Sequence, residues 1–215
     1  MATAEVRAAA ARASAAQSAE VRSTERGCVQ SGAEDELPLR VAVIIGSTRE
    51  GREGAGVAAW FTALARKRHG LALDVVDLAD FHFPERLLAQ PPPGIAEFTE
   101  RLGAAEAFIV ITPEYNRSFP ASLKQAIDYG YDEWHAKPVG FVSYGSNSVG
   151  MHAVEQLRWV FTELHTVTVR DSVSFDLLRA HDPDGTGRSA TAMLGQLAWW
   201  GHALRDARAA RPYCA

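Results

Sequence analysis

The sequence predicts a three-layer α/β/α domain built on a five-stranded parallel sheet. Two observations carry that expectation. Five short runs, most of them apolar on both faces, recur along residues 38–215, and such runs belong to strands buried between two layers. Five stretches with apolar residues at helical spacing alternate with them, the order in which βαβ units are written. A 20–50-residue repeat is missing, which excludes a solenoid.

Residues 40–45 (RVAVII) stop at Gly46 and read as the first strand. Residues 54–69 place Val57, Trp60, Phe61, Leu64 and Ala65 at helical spacing. The second strand is expected over 71–78, followed by a long loop over 81–93 in which Pro91, Pro92 and Pro93 end regular structure. A helix at 95–105 leads to the third strand, 107–112 (AFIVIT). The next helix spans 120–131, with proline at its start, where the missing N–H costs nothing. Residues 138–143 (PVGFVS) are the fourth strand and 151–164 the fourth helix. Residues 166–175 (TVTVRDSVSF) alternate like a strand with one wetter face, and 189–210 close the domain as a helix carrying Trp199 and Trp200. Right-handed crossovers and five strands favour the flavodoxin-like order 2-1-3-4-5 over a six-stranded dinucleotide fold. Ligands of such sheets sit at the carboxyl ends of the strands, near the switch point between strands one and three.

Composition narrows the function classes. The 215 residues are 47% apolar and 22% charged, enough for a sizeable core. Residues 1–37 differ in kind, being rich in Ala, Ser, Arg and Glu without an aromatic residue. They are expected to form a disordered tail, with a fraying helix over residues 2–19 as the alternative. The arginines there suggest a transit peptide, but Glu5, Glu20 and Glu25 dilute that reading. A net charge of -4 argues against a nucleic-acid partner. The lack of an 18-residue apolar run argues against a membrane span. Cys28 and Cys214 lie near opposite ends, which disfavours a disulfide framework, a thiolate zinc site or an iron–sulfur cluster. A soluble cytoplasmic protein is expected. The seven histidines lack metal-ligand spacing, so no metal is expected. Residues 182–187 (DPDGTG) read as a turn rather than a calcium loop, and Ser-His-Asp chemistry lacks its nucleophile elbow.

The informative segments are the three that follow strands one, three and four. Gly46-Ser47-Thr48-Arg49-Glu50-Gly51-Arg52-Glu53-Gly54 leaves a strand and enters a helix, the geometry in which backbone N–H groups and the helix dipole hold an anion. Ser47, Thr48, Arg49 and Arg52 can donate to phosphate oxygens, and Gly54 lets the backbone approach closely. It is neither a Walker loop nor G-x-G-x-x-G; the competing reading is an ordinary glycine-rich turn with solvated arginines. The second segment, from Thr112 to Pro120 (TPEYNRSFP), is stiffened by prolines on both sides. There Pro113, Glu114, Tyr115 and Asn116 can present backbone groups and one aromatic face to a flat heterocycle. Its plainer reading is a loop with Ser118 capping the next helix and Pro120 just inside it. The third, Ser143-Tyr144-Gly145-Ser146-Asn147-Ser148-Val149-Gly150, leaves room for a bulky ligand and offers hydroxyl donors. Together they describe a planar ring with a phosphorylated tail. FMN fits that description, and a nucleotide such as AMP competes.

At these residues the chain resembles the NADPH-dependent FMN reductase family. GSTREGREG, TPEYNRSFPASLKQAIDY, and KPVGFVSYGS followed by AVEQLR carry the resemblance, over roughly residues 39–208. It implies that residues 38–215 form a flavodoxin-like FMN-binding reductase domain. It also implies that Ser47, Arg49 and Arg52 bind the FMN phosphate, that Pro113, Glu114, Tyr115 and Asn116 line the isoalloxazine, and that Ser143, Tyr144 and Gly145 close the other side. NADPH or NADH would be the hydride donor, and free flavin, a quinone or another small molecule the acceptor. The chain would be a homodimer or homotetramer, with no catalytic acid or base. The sequence departs from many relatives at residues 146–150 (SNSVG), where consecutive glycines are usual, which bears on acceptor preference. Arg117 is a candidate for the phosphate of the nicotinamide donor, against a solvated surface arginine. Rival readings are an FMN-binding electron carrier and a flavin-bound regulator. Trp199 and Trp200, being adjacent, cannot both face inward; one is expected in the core and the other at a subunit contact.

Overall fold

The computed structural model describes residues 37–214 except 85, 87, 89, 91 and 179–182. The expected tail, Cys28 and the proposed helix at 2–19 lie outside the described residues. Five strands, β1 (Leu39–Ile45), β2 (Leu71–Asp77), β3 (Ala107–Pro113), β4 (Pro138–Gly145) and β5 (Val167–Asp176), form one parallel sheet in the order β2-β1-β3-β4-β5. The helices are α1 (Gly54–Ala65), α2 (Pro93–Ala104), α3 (Ala121–Tyr129), α4 (Met151–Glu163) and α5 (Pro183–Ala210).

β-Branched and aromatic side chains alternate across the three central strands, so each strand feeds two cores. Val41, Val43 and Ile45 of β1, Ile109 and Ile111 of β3, and Val142 and Tyr144 of β4 pack with Phe61 of α1 and Leu194 and Leu197 of α5. Ala42, Ile44, Phe108, Val110 and Phe141 point to the other face, against Phe98 of α2, Leu123 and Ile127 of α3 and Leu157 of α4. The order and the two-sided burial match the expectation from sequence. The edge strand β2 is wetter, which suits a strand with one neighbour.

Several boundaries move. The first helix ends at Ala65, before the charged run 66–68, instead of at 69. Proline 93 starts α2 rather than ending regular structure, because N1 needs no N–H. The expected turn at 182–187 is corrected from Pro183 onward, residue 182 being outside the described residues. Pro183 starts α5, Asp184 complements the positive end of the helix, and Ser189 and Thr191 bond back to the Gly185 and Gly187 carbonyls. Trp199 and Trp200 both stay out of the core, 65% and 38% exposed, with their rings edge to face at 4.9 Å. The buried stripe of that helix runs instead through Ala190, Met193, Leu194 and Leu197.

Candidate functional site

The carboxyl ends of β1, β3 and β4 carry the three segments, and β1 and β3 are the neighbours at which the strand order reverses. Just past β1, Gly46 has no room for a side chain: a Cβ there would lie 3.0 Å from Leu123 Cδ2 and 3.2 Å from the Ile111 carbonyl. Ser47 is buried, and its Oγ sits 2.9 Å from the Tyr115 hydroxyl, joining the first segment to the second.

Beyond Ser47 the chain presents backbone. Among the described residues the N–H groups of Thr48, Arg49 and Glu50 find no protein acceptor. The N-terminus of α1 has neither a side-chain cap nor an acidic residue in its first turn, so its partial positive charge stays open to an anion. Tyr144 reaches this place from below. It is 3% exposed, its hydroxyl has no partner among the described residues, and it lies 2.8 Å from where a Cβ on Gly54 would stand. Burial pushes its pKa up to about 12, so it remains a neutral hydroxyl. Free N–H groups and an uncapped helix end suit the phosphorylated tail of a flavin mononucleotide.

The two arginines divide. Arg49 is exposed and without a partner among the described residues. Arg52 is turned inward: both Nη atoms meet the Asp77 carboxylate, each at 2.5 Å, and Nη1 also donates to the Ser47 carbonyl. The hydrogen bond to Asp77 raises its pKa, so the charge is permanent and spent on Asp77. Of the two guanidinium groups expected at a phosphate, one is thus paired with Asp77 and the other is exposed. Arg52 braces the loop, and Arg49 is the cation left for a ligand. Asp77 escaped the sequence reading, although it pairs in register with Ile45 at the strand end beside this arginine-bearing loop.

The second segment is a hairpin. Tyr115 and Ser118 exchange N–H···O bonds of 2.8 and 2.9 Å around Asn116 (φ 51°) and Arg117 (φ 65°), a two-residue turn with both central residues left-handed. Ser118 is thus no helix cap. Its Oγ donates to Gln156 Oε1 at 2.6 Å, Gln156 Nε2 donates to the Arg117 carbonyl at 2.7 Å, and α3 begins after Pro120. Asn116 and Arg117 stand at the tip, both exposed.

Glu114 ties this hairpin to the third segment. Its N–H donates to the Tyr144 carbonyl, and its carboxylate accepts from Ser148 Oγ at 2.5 Å and from the His152 N–H at 3.1 Å. The carboxylate acts as a remote cap on α4. Ser143 faces inward: its Oγ donates to the Val149 carbonyl and meets Ser174 Oγ. Gly145 packs against the Gly150 N–H and the Glu114 side chain. Ser143 and Tyr144, expected with Gly145 to close one side of the ring, both have buried side chains. The exposed wall is formed by residues 146–150. Where relatives were expected to carry glycines, Val149 (φ 50°) and Gly150 (φ 88°) make the left-handed bend.

The sequence profile of a family described as NADPH-dependent FMN reductase matches residues 39–178. An NAD(P)H-dependent FMN reductase of Schizosaccharomyces pombe is 32% identical over 122 residues, covering 52% of this chain and 60% of that protein. A quinone reductase of Pseudomonas putida is 36% identical over 127 residues, covering 54% and 67%. The chain therefore spans only about three-fifths to two-thirds of the length of these relatives. Among solved structures, FerB, a flavoenzyme NAD(P)H:(acceptor) oxidoreductase from Paracoccus denitrificans, shares the fold with a TM-score of 0.60 at 22% identity, over 78% of this chain and 98% of that one.

Proposed function

The chain belongs to the NADPH-dependent FMN reductase family, and from that premise we propose that it is an FMN-dependent oxidoreductase taking hydride from NADPH or NADH and delivering it to a small acceptor, a quinone or free flavin. Bound FMN supplies the hydride-accepting and hydride-donating chemistry. The observation that carries the reading is the convergence at one sheet edge of unclaimed N–H groups and the uncapped end of α1.

Thr48, Arg49 and Glu50 hold the phosphate through backbone N–H groups, with the Arg49 guanidinium added, while Arg52 and Asp77 keep the loop in shape. The Tyr115 hairpin and residues 146–150 are the two walls for the ring, and Glu114 fixes the distance between them. The side chains here bind and orient, and none serves as a general acid or base. The names of the S. pombe and P. putida relatives support flavin and quinone acceptors.

The protein works in the cytoplasm as a homodimer or homotetramer. Among the described residues no helix is long and apolar enough to cross a membrane, and Trp159 of α4 is 82% exposed, the kind of surface a second copy covers. Anaerobic addition of NADPH to the FMN-loaded protein should bleach the flavin absorption within seconds, and a quinone should restore it. A protein that takes up no FMN, or whose flavin NADPH does not reduce, would refute the proposal. Slow bleaching by NADPH with fast exchange to a protein partner would favour the electron carrier.

A further inference from the structure

At the opposite pole of the sheet, where the strands begin, a second polar group of residues surrounds Glu106. Its carboxylate accepts from Arg205 Nε at 2.8 Å, from Arg205 Nη2 at 2.7 Å and from the Arg40 N–H at 3.0 Å. Burial drives its pKa up, but these bonds outweigh burial and hold it at about 2. That single carboxylate is taken by Arg40 and Arg205, yet two more cations stand nearby. Lys137 Nζ donates to the Leu102 and Gly103 carbonyls at 3.1 Å each and lies 5.5 Å from the centre of the Phe108 ring. Arg208 donates to the Ala136 carbonyl. Both donate to neutral carbonyls, and the carboxylates that act on them, Glu133 and Glu106 on Lys137 and Glu106 on Arg208, are not their hydrogen-bond partners. Burial lowers the pKa of both, Lys137 to about 8, with Arg208 lowering it further.

A cavity of about 490 Å³ opens on these cations. Tyr131, Asp132, His135 and Tyr213 line it beside Lys137 and Arg208. The side chain of His135 is nine-tenths buried, and its Nε2 has no partner among the described residues. Its ring stacks on His165 at 4.8 Å and 16°, and Tyr213 Oη holds His165 Nδ1 at 3.0 Å. The Asp132 carboxylate, 3.6 Å from His135 Nδ1, belongs to a side chain 89% in solvent and compensates little.

We infer that this cavity binds a small aromatic ring bearing an oxyanion, at a site separate from the flavin crevice. Lys137 has a third N–H left after its two carbonyls, and Arg208 has donors beyond the one given to Ala136. These supply the charge-assisted bonds an oxyanion needs, the Tyr131 and Tyr213 rings supply aromatic contact, and the unpartnered His135 Nε2 adds a polar one. The site lies one strand away from the crevice, roughly 25 Å for the eight residues of β4.

The test is titration calorimetry on the full chain loaded with one equivalent of FMN, using phenyl phosphate, benzoate and inorganic phosphate as probes. At least one ring-bearing probe should bind at least tenfold more tightly than inorganic phosphate, and the stronger of the two identifies the oxyanion. Arg208→Gln and Tyr213→Ala should each weaken that probe at least tenfold while FMN affinity stays unchanged. Tyr213 is half-exposed, so Tyr213→Ala carries the test alone should Arg208→Gln fail to fold. Silence from both ring-bearing probes, equal binding of inorganic phosphate, or variants that bind like the parent would overturn the inference.

Discussion

Replacing Gly54 with alanine should destabilise the protein, and removing one oxygen atom elsewhere should relieve much of that loss. A Cβ on Gly54 would stand 2.8 Å from Tyr144 Oη and 3.2 Å from Ile45 Cγ2. The Tyr144 ring is packed in the core and cannot withdraw. Overpacking of this kind costs about 1–3 kcal/mol, against a helix-propensity gain of at most about 1 kcal/mol at the first position of α1. The net expectation for Gly54→Ala is a loss of about 1–2 kcal/mol. In Tyr144→Phe the orphaned hydroxyl is gone, which by itself should stabilise by about 1 kcal/mol. The nearest atom of that ring to the new Cβ is then Cζ at 3.7 Å, an ordinary contact. Gly54→Ala should therefore cost less in the Tyr144→Phe background, where Ile45 Cγ2 at 3.2 Å is the one close contact left. Urea denaturation of the four proteins of this cycle, with equal m-values, measures the coupling. An equal penalty in both backgrounds would show that the hydroxyl is not what keeps residue 54 a glycine.

Acid should weaken the fold through Glu106, whose pKa is about 2 against an unfolded value of 4.5. Its contribution, at most about 3 kcal/mol, is complete above pH 4.5 and disappears as the pH falls through 2, and Glu106→Gln should flatten that limb of the stability profile. Arg49→Ala should weaken FMN binding roughly tenfold or more with stability unchanged. Arg52→Ala should instead lower the urea midpoint, because Asp77 loses its partner; fluorescence titration and denaturation separate the two. Arg117→Gly should stabilise by about 1 kcal/mol, since glycine is at ease at the φ of 65° held there, and a thermal melt reads it.

The sheet was legible because its signal is dense. Runs such as AFIVIT and RVAVII commit every residue to one face or the other, and three of the turns that follow them are marked by glycine or proline. The segments that converge on the crevice were legible for the same reason. The direction of each side chain within them was not. Arg52 reads like Arg49 in the sequence, and what separates them is Asp77, 25 residues away and brought alongside by strand pairing. Tyr144 reads as a loop residue and Ser143 as the last of the strand, because the sequence pattern ends β4 at 143. Once the strand runs to Gly145, alternation sends the two side chains to opposite cores. Ser118 has the chemistry of a helix cap, but the left-handed pair before it closes a hairpin, and its hydroxyl is drawn to Gln156. Pairwise partners distant in the chain decided each of these cases.

Glu114 holds both sides of the crevice with one side chain, so its length sets how closely the hairpin and residues 146–150 approach each other. Shortening it to aspartate draws the anchoring oxygens back by about 1.5 Å, one carbon–carbon bond, and either pulls residues 146–150 inward or releases them from the hairpin. A chain of this design changes the thickness of what it admits through a single methylene group, without any insertion in its loops.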